Sequence, residues 1–165
     1  MLIIGVGNAL RHDDAAGLEI ARRLRARVRG TGIAVREHEG EPLALLDIWE
    51  GADAVVLVDA IRSGASPGTI HRVDATSAAI PVRLRGSSST HAVGVGEAIE
   101  LARALDRLPG RVVLFGVEGR SFAAGSGLSV EVEAITERLL DAVLSEAREL
   151  AVALATRDPS DGQHS

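Results

Sequence analysis

Three nearly uninterrupted apolar runs, Leu2-Ile3-Ile4-Gly5-Val6, Ala54-Val55-Val56-Leu57-Val58 and Val112-Val113-Leu114-Phe115-Gly116-Val117, constrain this chain more than any other feature. A strand with one wet face alternates apolar and polar residues, whereas a strand covered on both faces of a parallel sheet has no reason to. The runs therefore predict central parallel strands with helices on either side. The segments between them fit that picture. After a turn over residues 7–14, Ile20, Leu24 and Val28 recur at helical spacing, while Glu19, Arg22, Arg23 and Arg29 mark the wet face. Asp13 is the expected N-cap of that helix. A second strand is expected from Ile33 to Arg36, then a helix opened by Glu41-Pro42, with Leu43, Leu46 and Trp49 at helical spacing.

Only nine residues separate Asp59 from a further strand, Thr69 to Val73, and they include Ser66-Pro67-Gly68. A parallel connection needs a longer crossover, so this strand is expected to run antiparallel. A helix is predicted from His91 to Asp106 with Val95, Ile99, Ala102 and Leu105 inward, and Gly94 and Gly96 within it imply close approach of another backbone. Ser129 opens a last helix carrying Val132, Ile135, Leu139, Val143 and Leu150 on one side. The reading is an α/β fold: a five-stranded, mostly parallel twisted sheet with one antiparallel strand and helices on both faces, one domain over residues 1–156, and a fraying tail from Arg157 to Ser165.

Composition removes several function classes. Trp49, Phe115 and Phe122 are the only aromatic residues and the net charge is -5, so no base-stacking platform or nucleic-acid partner is expected. All 18 basic residues are Arg, which removes Schiff-base and P-loop lysine chemistry. Without Cys there is no thiolate nucleophile, and any metal must be held by oxygen and nitrogen. No apolar run approaches the roughly 20 residues that span a bilayer, and Met1 leads into a core strand rather than a cleavable signal. No membrane association and a cytoplasmic location are expected.

Ligands of open α/β sheets bind outside the carboxyl ends of the strands. Asp13-Asp14 follows the first strand, Asp59 ends the third, and His91 begins a helix after a polar serine loop. Two carboxylates and one imidazole suit a divalent ion such as Zn, Ni or Fe(II), with positions left open for water or substrate. Each residue also has a plainer role. Asp13 and Asp14 can satisfy the N–H groups of a helix start, His91 can cap a helix, and His12, His38 and His71 read as surface or supporting residues. Gly5-Val6-Gly7-Asn8 invites a dinucleotide reading, but the third glycine is missing because position 10 is Leu. No G-x-S-x-G elbow exists, so Ser87, Ser88 and Ser89 are loop and capping residues.

Four blocks in order nevertheless carry a resemblance. Gly5-Val6-Gly7-Asn8-x-Leu10-x-x-Asp13-Asp14-x-x-Gly17, Val58-Asp59-Ala60 with Pro67-Gly68-Thr69, Ser89-Thr90-His91 with Gly94, and Gly116-Val117-Glu118 with Gly127-Leu128-Ser129 resemble the hydrogenase maturation proteases. These trim the C-terminal extension of the [NiFe] hydrogenase large subunit after nickel insertion. The resemblance implies a nickel-dependent endopeptidase, with Asp14, Asp59 and His91 as catalytic and metal-binding residues. It implies Ni²⁺ arriving with the substrate, with Zn²⁺ or another divalent ion as a surrogate. The partner implied is the large-subunit precursor, met by a monomer, with Gly7, Asn8, Gly40 and Glu41 handling substrate. The chain departs from the family where many members carry a Gly-Gly-Thr-like segment: here it reads Glu39-Gly40-Glu41-Pro42. The rival reading is a non-cleaving, metal-sensing chaperone that docks on the nickel-loaded large subunit.

Overall fold

β1 (Leu2–Val6) and β3 (Ala54–Ile61) are buried at every residue, and β5 (Arg111–Glu118) at all but its first. Such strands need cover on both faces, and the computed structural model, which describes residues 1–39, 41–85 and 94–156, supplies it with helices. β2 (Ala34–His38) and β4 (Ile70–Asp74) form the edges of a five-stranded sheet ordered β2-β1-β3-β5-β4. β1 pairs in parallel with β2 and β3, and β3 with β5. β4 runs antiparallel to β5, as the short connection requires.

The pleat sends alternate residues to opposite faces and so divides the core. On one face, α1 (Ala16–Arg27) and α4 (Val130–Ala155) bring Ile20, Leu24, Leu139 and Val143 against Ile3, Val56, Val58 and Phe115. On the other, α2 (Pro42–Trp49) and α3 (Val95–Ala104) bring Leu46, Trp49 and Ile99 against Ile4, Leu57 and Leu114. Each large aliphatic side chain buried in this way contributes roughly 1.5–3 kcal/mol. Arginines stitch α1 to α4 at the surface, Arg23 to Glu133 at 3.2 Å and Arg27 to Glu137 at 2.9 Å, each of which adds at most about 1 kcal/mol.

Several expectations need correction. Leu43 is 57% exposed, because the buried face of α2 runs through Leu45, Leu46 and Trp49, and Leu43 lies about 200° around the helix from Leu45. Leu105 is 50% exposed, since α3 ends at Ala104 and Leu105 is already its C-cap. α3 starts at Val95, and residues 86–93, His91 among them, lie outside the described residues, as does the tail from 157. Asp13 does not cap α1: the N-cap position is Ala15, and a short 3-10 turn over His12–Ala15 runs straight into the helix. The close approach expected at Gly96 is present, since a Cβ there would lie 2.6 Å from Cα of Arg85.

Candidate active site

From β1 the chain departs to β2 on one side and reaches β3 on the other, so the carboxyl ends of β1 and β3 form the crevice where the sheet's connections change direction. Open α/β sheets bind ligands at this point. Asp59 directly follows Val58, the last β3 residue paired with β1, and the loop leaving β1 carries Asp14. Both are only 8% exposed. Burial pushes the Asp59 carboxyl well above its ordinary range, the neighbouring Asp14 charge pushes it further, and the Ala60 N–H opposes them in part. Two acidic side chains from different elements thus meet in a low-dielectric crevice.

The glycines of the first block explain how they come so close. A Cβ on Gly17, at the start of α1, would lie 2.3 Å from the carbonyl oxygens of both Val6 and Val58. One on Gly5 would lie 2.0 Å from the Gly17 carbonyl oxygen. α1 therefore sits backbone to backbone on β1 and β3, and the glycine pattern serves this packing instead of a phosphate. Between them the loop doubles back: the Asn8 N–H donates to the Asp14 carbonyl at 3.1 Å, and the Asp14 N–H to the Arg11 carbonyl at 3.0 Å. Gly7, at φ +153°, has no room for a side chain, since a Cβ would fall 1.8 Å from the Asp14 carbonyl oxygen.

The adjacent carboxylates Asp13 and Asp14 have different surroundings. Asp13 is fully buried, and its carboxylate accepts backbone N–H groups from Arg120 at 2.7 Å, Ser121 at 3.0 Å and Ser129 at 2.6 Å. Burial pushes its carboxyl up, but these N–H groups outweigh that and hold it below the usual range. With three donors already in place, Asp13 is an internal anchor for the loop after β5, while Asp14 is the acid whose charge acts on Asp59.

Glu118, 2% exposed at the end of β5, plays the corresponding part for the loop after β3. Its carboxylate accepts the Ser63 and Gly64 N–H groups at 3.0 Å and the Ser63 hydroxyl at 2.7 Å. The two loops also meet where the Arg62 guanidinium lies 4.8 Å from the centre of the Phe122 ring. The sequence alone assigns Glu118 no role. The signal available was the one that singled out Asp59, a carboxylate ending an apolar strand.

Of the three expected ligands, the structure brings Asp14 and Asp59 together, and His91 lies outside the described residues. Among the described residues no group of three His, Asp or Glu side chains is placed to hold an ion. The acidic pair, oxygen donors of like charge in a buried crevice, fits a divalent cation, which would relieve their repulsion, but needs further ligands. The expected substrate residues divide in a similar way. Gly7 and Glu41 line a groove of about 500 Å³ together with Leu18, Arg22, His38 and Glu39. The Glu41 carboxylate is engaged by the Leu43 and Ala44 N–H groups as the N-cap of α2. The Asn8 amide oxygen accepts the Leu10 N–H at 2.9 Å, and Gly40 lies outside the described residues. In the groove, burial lowers the His38 imidazole below its ordinary value, against the opposing pull of Glu41 and Glu39.

A five-stranded, mostly parallel α/β sheet with two buried carboxylates at its switch point defines the class of open α/β proteins that bind their ligands at the carboxyl ends of the strands. Comparison with known proteins places it further: the sequence profile of the hydrogenase maturation protease family matches residues 19–146, and the chain belongs to that family. It is 28% identical to the hydrogenase 2 maturation protease of Escherichia coli over 160 residues, covering 96% of each chain. Among solved structures, it is similar to the E. coli hydrogenase maturating endopeptidase HybD, with a TM-score of 0.70, 28% identity, and 90% and 91% of the two chains covered. It is also similar to the [NiFe] hydrogenase maturation protease HycI of Thermococcus kodakarensis, at TM-score 0.67 and 26% identity, over 88% and 90% of the chains. The chain is therefore a protease of hydrogenase maturation. Among the described residues no helix is long and apolar enough to cross a membrane.

Proposed function

We propose that this protein is a nickel-dependent endopeptidase that makes one cut, removing the C-terminal extension of a [NiFe] hydrogenase large-subunit precursor in the cytoplasm, and that it acts as a monomer. The observation that carries this reading is the acidic pair Asp14 and Asp59, buried at the switch point, in a chain with no Cys and no serine elbow. Two like-charged carboxylates held together in low dielectric are costly alone and well matched to a cation. The nickel belongs to the substrate: the precursor brings it, and Asp14 and Asp59, joined by His91, recognise the loaded state. Zn²⁺ or another divalent ion would serve as a surrogate. Bound there, the ion supplies Lewis-acid polarisation of the scissile carbonyl or a more acidic water. Asp14 and Asp59 orient the substrate's metal centre, and one of the two accepts a proton from the attacking water. Gly7, Asn8, Gly40 and Glu41 guide the extension, with the groove beside Gly7 and Glu41 as its channel.

The test is intact-mass measurement of precursor incubated with this protein, with nickel and without it. Loss of a C-terminal peptide from the loaded precursor alone supports the endopeptidase. Stable binding with unchanged mass would select the non-cleaving chaperone instead. Asp59→Asn should abolish cleavage while leaving the fold intact, and normal processing by that variant would remove Asp59 from the site.

A further inference from the structure

Asp14 is buried on a turn between β1 and α1, and its position depends on how that turn is held. The restraint is visible two residues earlier. His12 sits at φ +42°, a left-handed conformation that costs a non-glycine residue of order 1 kcal/mol and persists only where the surroundings impose it. The surroundings here are the loop after β5. The His12 N–H donates to the Gly125 carbonyl at 3.1 Å, the Asp13 N–H to the Ser121 carbonyl at 3.0 Å, and the Gly125 N–H to the Leu10 carbonyl at 2.9 Å. The Arg11 guanidinium donates to the Phe122 carbonyl at 2.9 Å and 3.1 Å. Within this lattice the Asp13 carboxylate collects the three N–H groups of residues 120, 121 and 129, and Gly119 is so close that a Cβ on it would lie 3.1 Å from Cβ of Asp13.

We infer that Asp13 is a positioning residue for the proteolytic reaction: its carboxylate locks the 119–129 loop onto the loop leaving β1 and thereby holds the neighbouring Asp14 at the distance from Asp59 that the substrate's metal centre requires. This rests on the proposed assignment of Asp14 and Asp59. Asp13 touches neither substrate nor ion; it acts through the backbone of the next residue. A preorganised site keeps its charged groups where the reaction needs them instead of letting them relax apart. A ligand displaced by about 1 Å commonly costs on the order of 100-fold in rate.

Two variants test it. Asp13→Asn keeps the size but replaces one acceptor oxygen with an amide that faces N–H donors. Ser129→Pro removes one of the three N–H groups at a residue whose φ of −63° already suits proline, and its ring carbon displaces the Asp13 carboxylate that now lies 2.6 Å from the nitrogen, so the same anchor is broken from the loop side should the first variant fail to fold. On nickel-loaded precursor, both should lower kcat by about 100-fold, with KM changed by less than about threefold. Amide exchange should speed up selectively at residues 12–14 and 119–129. A purely structural role would lower Tm yet leave kcat per folded molecule unchanged. Asp59→Asn is run alongside. If it is inactive while folded Asp13→Asn and Ser129→Pro both process at the normal kcat, the positioning role is overturned and the site stands. If Asp59→Asn itself processes normally, the site assignment fails and this inference with it.

Discussion

Gly17 seats α1 backbone to backbone on β1 and β3, and adding one methyl group there should damage both stability and rate. A Cβ on Gly17 would sit 2.3 Å from the carbonyl oxygens of Val6 and Val58 and 2.7 Å from the Val6 nitrogen. Ordinary contact starts at 3.4 Å, so relief requires α1 to lift by about 1 Å from the strands. All three obstructing atoms are backbone of central strands buried on both faces, and none can rotate away. Overpacking of this kind costs about 1–3 kcal/mol, and the rigidity of the neighbours puts Gly17→Ala at the upper end. The better helix propensity of Ala returns about 1 kcal/mol. The net loss is about 2 kcal/mol, which for a chain of this length lowers Tm by about 4–8 °C. Because α1 begins immediately after the turn that carries Asp14, the same lift moves Asp14 from Asp59 by a comparable distance and should lower processing about 100-fold. Thermal melts followed by circular dichroism, and cleavage of nickel-loaded precursor well below the melting range, read the two effects separately. A Gly17→Ala protein that melts within 1 °C of the parent and cuts at the parental rate would refute the backbone-to-backbone seating of α1 and its link to the site.

Asp59→Asn should remove activity but raise stability at neutral pH. The folded-state pKa of Asp59 lies well above its value of 3.8 in an unfolded chain, so its favourable contribution is complete below about pH 4 and is lost as pH rises through the folded value. Asn carries no such penalty. In chelator-treated samples the variant should melt higher than the parent near pH 7.5, with the gap closing toward pH 4; equal melting at both pH values would count against a buried, opposed carboxylate. Glu118→Gln replaces a carboxylate that accepts two N–H groups and a hydroxyl with an amide that must turn a donor toward them. It should cost about 2–3 kcal/mol and speed amide exchange at Ser63 and Gly64. Unchanged exchange there would mean that the loop after β3 is held by something else.

Much of the architecture was legible because the apolar runs of β1, β3 and β5 and the nine-residue link to β4 leave few other arrangements. Asp59 was legible for a related reason: a carboxylate that ends such a run is carried to the sheet's rim by the strand itself. Asp14 was singled out, but its separation from Asp13 was not derivable. Both are acids at the start of a helical segment, and only the 119–129 loop, more than a hundred residues away, shows which one is consumed by backbone donors. Leu43 and Leu105 misled for local reasons: the buried face of α2 runs through Leu45 and not Leu43, and Leu105 lies just past the end of α3. The glycines after β1 looked like a failed nucleotide loop because composition cannot distinguish a backbone approaching a phosphate from one approaching a strand.

The bonds from Asp13 to residues 120, 121 and 129 span 107, 108 and 116 positions of sequence. A chain emerging from the ribosome therefore carries both acids long before it carries the donors that set their separation, and β5 must be threaded beside β3 before the loop can close over them. A copy that ends before Ser129 lacks a donor that Asp13 binds, so this anchor closes only after β5 and the loop that follows it have been made.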